Sequence, residues 1–78
     1  MLTSEQSRAA RGWLDWSQED LAKRANVSLS TIRDFEKGRR VPISNNLQAI
    51  KRAFETEGIV LMFRDDGRPI GIAGAPEP

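Results

Sequence analysis

The chain has 78 residues with a formal net charge of +1, and it contains neither cysteine nor histidine. This length indicates one small domain, and this composition excludes disulfides and the thiolate and imidazole ligands of zinc sites, so we expect no metal or other cofactor. No run of about 18 apolar residues is present and the first residues lack a secretory signal, so we expect no membrane span and a cytoplasmic location.

The charges are unevenly distributed along the chain. Residues 23–52 hold eight Lys or Arg and two Asp or Glu, a net charge of +6, and the remaining residues therefore carry −5. A basic middle between acidic ends favours a surface that faces a polyanion. The alternative is a solvated charged face with no ligand.

The first predicted helix begins at a capping box, Thr3-x-x-Gln6, in which the Thr3 hydroxyl accepts from an unpaired N–H and Gln6 reaches back. The helix should end near Asp15, in a left-handed backbone conformation that aspartate tolerates. Trp13 and Trp16 are predicted to lie in the core or at its margin.

Two short helices joined by a tight turn are predicted next. Ser17-x-x-Asp20 caps the first of them, and Asn26 is a suitable left-handed stop. Ser28 caps the second helix and Gly38 ends it. Because so few residues join the two helices, they must cross steeply to share a core, as in a helix-turn-helix.

The second of these two helices has one apolar and one polar face. Ile32 and Phe35 lie about one turn apart and are predicted to be buried. The opposite face carries Leu29, Ser30, Thr31, Arg33, Asp34 and Lys37. A helix presented in this way can enter the major groove of DNA, with the bases facing its first two turns.

A fourth helix is predicted between a Ser44 cap and a Gly58 stop, and a hairpin after it. The apolar run that follows the helix consists of Ile59, Val60, Leu61, Met62 and Phe63. Residues 65–67 then give a turn signal, and residues 70–72 return as a second strand. Since a lone hairpin is marginal in water, it must either pack on the helices or pair with another chain.

The middle of the chain resembles the phage-repressor and Cro type of helix-turn-helix regulators. The residues that match the family's spacing are Trp16, Ser17, Gln18, Leu21, Ala22, Ala25, Val27, Ser28, Ile32, Phe35, Glu36, Gly38 and Pro42. The resemblance covers roughly residues 8–54 and implies a mainly α fold, a compact four-helix bundle of the lambda repressor type. The hairpin stands in place of the family's usual fifth helix. We therefore expect a DNA-binding domain at residues 1–58, a dimerisation segment at 59–73 and a flexible tail at 74–78.

The resemblance also assigns base contacts to single residues. Leu29, Ser30 and Asp34 match the base-contacting positions, with Thr31 and Arg33 beside them. Leu29 can touch a thymine methyl, and Arg33 can reach either guanine or a phosphate. Two roles stay open for Asp34: it accepts from cytosine N4, or it only orients a neighbouring cation.

Other residues are expected to contact the phosphate backbone or to hold the scaffold. Gln18 matches the family's phosphate-binding position at the start of the second helix, and Lys37, Arg39 and Arg40 lie at the end of the third helix and in the loop after it. The expected phosphate contacts are Gln18, Ser28, Lys37, Arg39, Arg40, Asn45 and Asn46. The alternative for Arg39 and Arg40 is a solvated loop. Arg11 and Glu36 match positions that form an ion pair between the first and third helices and lock the third helix in place.

These features predict a sequence-specific regulator of transcription that binds double-stranded DNA, prokaryotic or phage in type and associated with the nucleoid. We expect a repressor that occupies a palindromic operator as a homodimer joined through residues 59–63. Two alternatives remain: an antitoxin whose tail holds a toxin, and a protein-interaction module that does not touch DNA. An enzyme is not expected, because the sequence has no His or Cys and no phosphate-binding glycine loop.

Overall fold

The structure, a computed structural model, describes residues 1–74 as four helices followed by a two-stranded hairpin. The elements are α1 (Ser4–Leu14), α2 (Gln18–Ala25), α3 (Leu29–Glu36), α4 (Ser44–Thr56), β1 (Ile59–Phe63) and β2 (Pro69–Gly74). The predicted mainly helical fold and its C-terminal hairpin are confirmed. Of the expected flexible tail, Gly74 belongs to β2, and residues 75–78 lie outside the described residues. Within the described part, no helix is long and apolar enough to cross a membrane.

Side-chain caps fix the starts of the first three helices. Thr3 and Gln6 form the predicted capping box at α1. Ser17 and Asp20 form the same reciprocal box at α2. The Ser28 hydroxyl oxygen accepts the backbone N–H of the third residue of α3 at 3.1 Å. Each helix therefore begins where its sequence satisfies an otherwise unpaired N–H group.

Three helix boundaries test predictions made from single residues. Asp15 and Asn26 both adopt the predicted left-handed backbone, with φ of 58° and 55°, and they end α1 and α2. The predicted Ser44 cap is wrong, because α4 begins one residue earlier than a Ser44 cap requires. The Ile43 carbonyl accepts the first helical bond, from the Leu47 N–H at 3.0 Å, and no side chain caps this end.

The core lies where the four helices meet. Leu21, Ile32, Ile50 and Phe54 are fully buried, one or two from each of α2, α3 and α4. Ala22 is also buried on α2, whose main neighbours are α3 and α4. Burial of each large apolar side chain contributes about 1.5–3 kcal/mol, so packing rather than helix propensity holds these short helices.

The two tryptophans occupy different environments. Trp16 is half-buried at the core margin, as predicted, with its ring stacked on Phe54 at a centroid distance of 5.9 Å and the Arg24 guanidinium 4.8 Å from the ring centre. The prediction for Trp13 is wrong, since its side chain is 64% exposed. Its indole lies across the end of β2, so close to Gly74 that a Cβ at that position would come within 2.5 Å of the ring. Trp13 therefore covers the end of a strand instead of entering the core.

The hairpin packs on helices of its own chain. β1 and β2 pair antiparallel, with Val60 opposite Ala73 and Met62 opposite Gly71, and a bulge follows Met62. β1 packs mainly on α4, and β2 packs on α1. The sequence left open whether the hairpin packs on the helices or pairs with another chain, and the structure contains the packing on the helices. Pairing of the hairpin with a second chain stays a prediction.

Gln6 joins the hairpin to α1. Its side chain is buried, and Nε2 donates to the carbonyl oxygens of Met62 at 3.2 Å and Gly71 at 3.1 Å. Its Oε1 accepts the Thr3 backbone N–H at 3.1 Å. One amide therefore caps the helix and supplies a donor to each strand of the hairpin.

Gln6→Ala is expected to lower the free energy of unfolding by about 1–3 kcal/mol, because it leaves two carbonyl oxygens at a buried site without their donor. Urea denaturation followed by circular dichroism measures the change. The control is Thr3→Ala, which removes the capping hydroxyl alone and should cost about 1 kcal/mol. If the two losses were equal in size, Gln6 would be acting through the cap and not through the hairpin.

Candidate nucleic-acid interface

The turn between α2 and α3 is built from local backbone bonds. Asn26 stops α2 with its left-handed backbone, and the Val27 N–H donates to the Ala22 carbonyl at 3.0 Å. The half-buried Val27 side chain packs against the core. Ser28 then caps α3. The turn between the two helices thus takes three residues, and α3 packs against α2.

α3, the recognition helix, is anchored through one face and open on the other. Ile32 and Phe35 are buried beneath it, as predicted. On the other face Ser30, Arg33 and Lys37 are exposed, whereas Leu29, Thr31 and Asp34 are half-buried. Leu29 packs partly against the core, so only part of its side chain is available to a thymine methyl.

A groove runs between the recognition helix and the start of α4. Its lining residues are Ser30, Thr31, Asp34, Arg40, Val41, Pro42, Ile43 and Asn46. Three expected base contacts and two expected phosphate contacts, Arg40 and Asn46, therefore share one surface. Asn45 is exposed in the first turn of α4, outside the lining of the groove.

The loop after α3 is held against the end of that helix. Gly38 turns the chain with a φ of 75°, a left-handed conformation that favours glycine. The backbone N–H groups of Arg39 and Arg40 both donate to the Asp34 carbonyl, at 2.9 and 3.4 Å. Both arginine side chains are exposed, so two guanidinium groups project beside the recognition helix.

A buried polar cluster around Glu36 fixes the recognition helix to the rest of the chain. Arg11 Nη2 lies 2.7 Å from Glu36 Oε1, and Arg11 Nε lies 2.9–3.0 Å from both carboxylate oxygens. Ser7 Oγ donates to Oε2 at 2.6 Å, and Gln18 Nε2 donates to Oε1 at 3.2 Å. Arg8 donates to the Glu36 backbone carbonyl. Glu36 therefore connects α3 to both α1 and α2.

The cluster keeps the Glu36 carboxylate charged although it is buried. Burial raises the pKa of Glu36, but the hydrogen bonds from Arg11, Ser7 and Gln18 and the charge of Arg11 outweigh it, so the pKa lies below its ordinary value of 4.5. Arg11 also donates to the Trp16 carbonyl at 3.0 Å. The same guanidinium thus holds the α1–α2 loop and the end of the recognition helix.

Two of the expected phosphate contacts already have partners inside the protein. The Ser28 hydroxyl caps α3 and lies 2.7 Å from Thr31 Oγ1, and the Gln18 amide donates to Glu36. Sequence reasoning missed Gln18, Ser7 and Arg8 as partners of Glu36. The available signal was the i, i+4 spacing of Ser7 and Arg11, which places both on one face of α1.

Positive charge is concentrated at the recognition helix and its loop. The ion pairs among residues 1–74 are Arg11–Glu36, Arg24–Glu57 and Arg68–Asp66. Arg33, Lys37, Arg39 and Arg40 take part in none of these pairs, and all four are exposed. Within the described residues, this cluster of four cations is open to an external anion.

A short helix that follows a tight turn, locked by a buried ion pair and flanked by exposed cations, places the chain in the class of helix-turn-helix proteins. The model of the helix-turn-helix family matches residues 8–59, and the chain belongs to this family, in its Cro and lambda repressor-like branch. The predicted family resemblance is thereby confirmed.

Two named proteins are similar to the chain over most of its length. Multiprotein-bridging factor 1 of Schizosaccharomyces pombe is 34% identical over 67 residues, which cover 86% of this chain and 41% of that protein. Endothelial differentiation-related factor 1 of Homo sapiens is 36% identical over 66 residues, which cover 85% of this chain and 40% of that protein. The chain therefore spans about two fifths of the length of these relatives.

Proposed function

We propose that this protein regulates transcription by binding double-stranded DNA, with α3 in the major groove. The observation that carries the proposal is the open face of α3 beside the four exposed cations Arg33, Lys37, Arg39 and Arg40. Each Lys or Arg that contacts a phosphate releases counterions, which favours binding to a nucleic acid. The major groove of B-form DNA admits an α-helix and displays a distinct donor and acceptor pattern for each base pair.

The residues expected to contact DNA divide into two roles under this proposal. Ser30, Thr31 and Arg33 face base edges, with Leu29 against a thymine methyl and Asp34 at the margin. Lys37, Arg39, Arg40, Asn45 and Asn46 bind phosphates and set the position of the helix. Gln18 and Ser28 approach phosphates from the N-terminal ends of α2 and α3, where unpaired N–H groups favour anions.

We extend the proposal to a repressor that acts by occupying an operator, a role that requires no catalysis. One small domain makes few phosphate contacts, so two copies on a palindromic site provide the useful affinity. The DNA-binding part is residues 1–58, and the hairpin that follows supplies the contact between copies.

Selection of bound sequences from a random pool of duplexes tests the proposal. The expected result is one enriched half-site in two inverted copies, with centres about one DNA turn apart. Feeble and equal affinity for all duplexes would overturn it. It would favour the alternative of a protein-bridging module, a role suggested by the name of multiprotein-bridging factor 1 and by the exposed Val60, Met62 and Ile70 of the hairpin. An antitoxin would bind DNA as expected, but it would also co-purify with a toxin chain.

Arg33→Ala is expected to change base preference at particular operator positions, by about 1–3 kcal/mol for a good contact. Fluorescence anisotropy with a panel of single-base operator variants measures the effect. The control is Arg52→Ala, which removes an exposed cation from α4 and should leave the preference unchanged. A uniform loss of affinity across all sequences would assign Arg33 to a phosphate.

A further inference from the structure

We infer that the loop after the recognition helix recognises thymine, with Val41 and Ile43 forming an apolar wall against the C5-methyl groups of thymine bases. This role rests on the proposed DNA binding and deepens it, because it assigns part of the sequence preference to residues outside the recognition helix. In the major groove, a thymine presents its methyl group beside its O4 acceptor, and apolar side chains contact that methyl directly.

The two wall residues lie on the same surface as the expected base contacts. Val41 and Ile43 line the groove between α3 and the start of α4, and so do Ser30, Thr31 and Asp34. DNA that meets the polar side chains of α3 is therefore within reach of the two apolar side chains of the loop. The groove thus combines hydrogen-bonding groups with an apolar wall, as recognition of thymine requires.

The fold leaves both wall residues open to solvent. Val41 and Ile43 are each 70% exposed, although both are β-branched apolar residues. Single apolar side chains on a surface are common, but neighbouring ones that line the same groove indicate contact with an apolar group of a ligand. The bases of the proposed DNA ligand offer such a group in the thymine methyl.

The residue type at position 43 departs from what its helix requires. Ile43 is the N-cap of α4, and no side chain caps this end of the helix. Ser, Thr, Asp and Asn are preferred at an N-cap, and isoleucine is among the least favourable residues there. Local rules of this kind are broken mainly at functional sites. Here the side chain that stands in place of a cap lines the groove, which points to a role in binding.

The wall is held in a fixed position relative to the recognition helix. On one side of it, the Arg40 N–H donates to the Asp34 carbonyl of α3 at 3.4 Å. On the other side, the Ile43 carbonyl accepts the Leu47 N–H at 3.0 Å. Pro42 separates the two wall residues, and its ring fixes φ. The wall therefore needs little ordering when DNA binds, which favours contact.

A deoxyuridine scan of the selected half-site tests this recognition of thymine. Each thymine in turn is replaced by deoxyuridine, which removes the C5-methyl group and keeps every hydrogen-bonding group of the base, and fluorescence anisotropy gives the affinity. The expected result is a loss of about fourfold at one or two thymines, the effect of exposing one buried methyl group. Val41→Ser/Ile43→Ser should weaken binding to the unmodified half-site and should bind the thymine and deoxyuridine forms of these positions equally.

Two single variants separate recognition from folding. Ile43→Ser supplies a capping hydroxyl to α4, so it should raise the urea midpoint of unfolding while it lowers the dependence on the methyl group. A purely structural role of Ile43 does not produce this combination. Ile70→Ser is the matched control, since it removes an exposed apolar side chain from the hairpin and should leave the scan unchanged.

The outcomes distinguish failure of the wall from failure of DNA binding. A flat scan on a half-site that the wild type binds would overturn thymine recognition by the loop and leave the proposed function intact. A methyl effect that persisted in the double variant would do the same, because the methyl groups would then meet α3 and not the loop. Absence of binding to any duplex would overturn the proposed function, and the role of the wall with it.

Discussion

Glu36→Ala is expected to lower the free energy of unfolding by about 3–5 kcal/mol, a large part of the roughly 5–15 kcal/mol that stabilises a typical domain. The Glu36 side chain is 1% exposed and its partner Arg11 is 19% exposed, so its removal leaves a guanidinium largely out of water with no anion. Ser7 and Gln18 lose their acceptor in the same step. The loss therefore combines an unpaired charge with unsatisfied donors. Urea denaturation measures it, with refolding checked by circular dichroism.

A second ion pair of the chain provides the matched control. Arg24 and Glu57 lie 2.9 Å apart, but their side chains are 54% and 37% exposed. Glu57→Ala should therefore cost at most about 1 kcal/mol. A loss for Glu36→Ala no larger than the loss for Glu57→Ala would show that the buried cluster does not hold the recognition helix.

The cluster also has a pH dependence of known sign. The pKa of Glu36 is lower in the folded chain than its ordinary value of 4.5. A carboxyl of this kind contributes stability above its unfolded pKa, and the contribution is lost as the pH falls through the folded pKa. Asp20 behaves in the same direction, because its hydrogen bond from the Ser17 backbone lowers its pKa. The contribution of Glu36 is measured as the difference in free energy of unfolding between the wild type and Glu36→Gln. This difference should shrink as the pH falls below about 4.5. A difference that did not vary with pH would contradict a charged carboxylate in the cluster.

The sequence predicted those parts of the fold that depend on neighbouring residues. The caps at Thr3, Ser17 and Ser28 and the left-handed stops at Asp15 and Asn26 are local, since each involves a side chain and an N–H group within one turn. The hairpin was predictable for the same reason, from an apolar run followed by a turn signal. The Ser44 cap was the local exception, because α4 begins one residue earlier and its start has no side-chain cap. The other predictions failed where a residue's surroundings are set by a distant part of the chain.

Gln6, Trp13 and Glu36 show why the remaining features were not predictable. The box formed by Gln6 is local, but its bonds to both strands require the hairpin to lie on α1. Trp13 has a core-like spacing, yet it meets the end of β2 instead of the core. The partners of Glu36 come from two other helices, and the sequence does not state which faces of those helices meet. The pair with Arg11 came from the family resemblance and not from spacing.

The candidate site shows the same division between local pattern and tertiary contact. Periodicity indicated which residues of α3 face outward, and the structure brings Ser30 and Asp34 together with Arg40 in one groove. That grouping depends on the left-handed turn at Gly38 and on the backbone N–H groups of Arg39 and Arg40, which donate to the Asp34 carbonyl. No periodic pattern describes such a loop, so the site was predictable as a set of residues but not as a surface.

Arg39→Ala/Arg40→Ala is expected to weaken binding to every duplex, specific or not, because these side chains are assigned to phosphates and carry no sequence information. Each lost phosphate contact should lower the affinity on the order of tenfold at about 0.1 M salt, and it should reduce the slope of log K against log salt by about 0.9. The pair therefore predicts a slope change near 1.8, with the ratio of specific to non-specific affinity unchanged. Fluorescence anisotropy titrations at several salt concentrations give both quantities.

The control for this variant removes the same charge elsewhere. Arg52→Ala/Arg64→Ala deletes two exposed cations, one on α4 and one directly after β1, and neither takes part in the ion pairs of the described residues. If both double variants reduced the slope equally, affinity would follow net charge alone and the loop would have no special role. A slope change confined to Arg39 and Arg40 would place the phosphate backbone against the loop that follows the recognition helix. A fall in the ratio of specific to non-specific affinity would instead show that one of the two arginines contacts a base edge and not a phosphate.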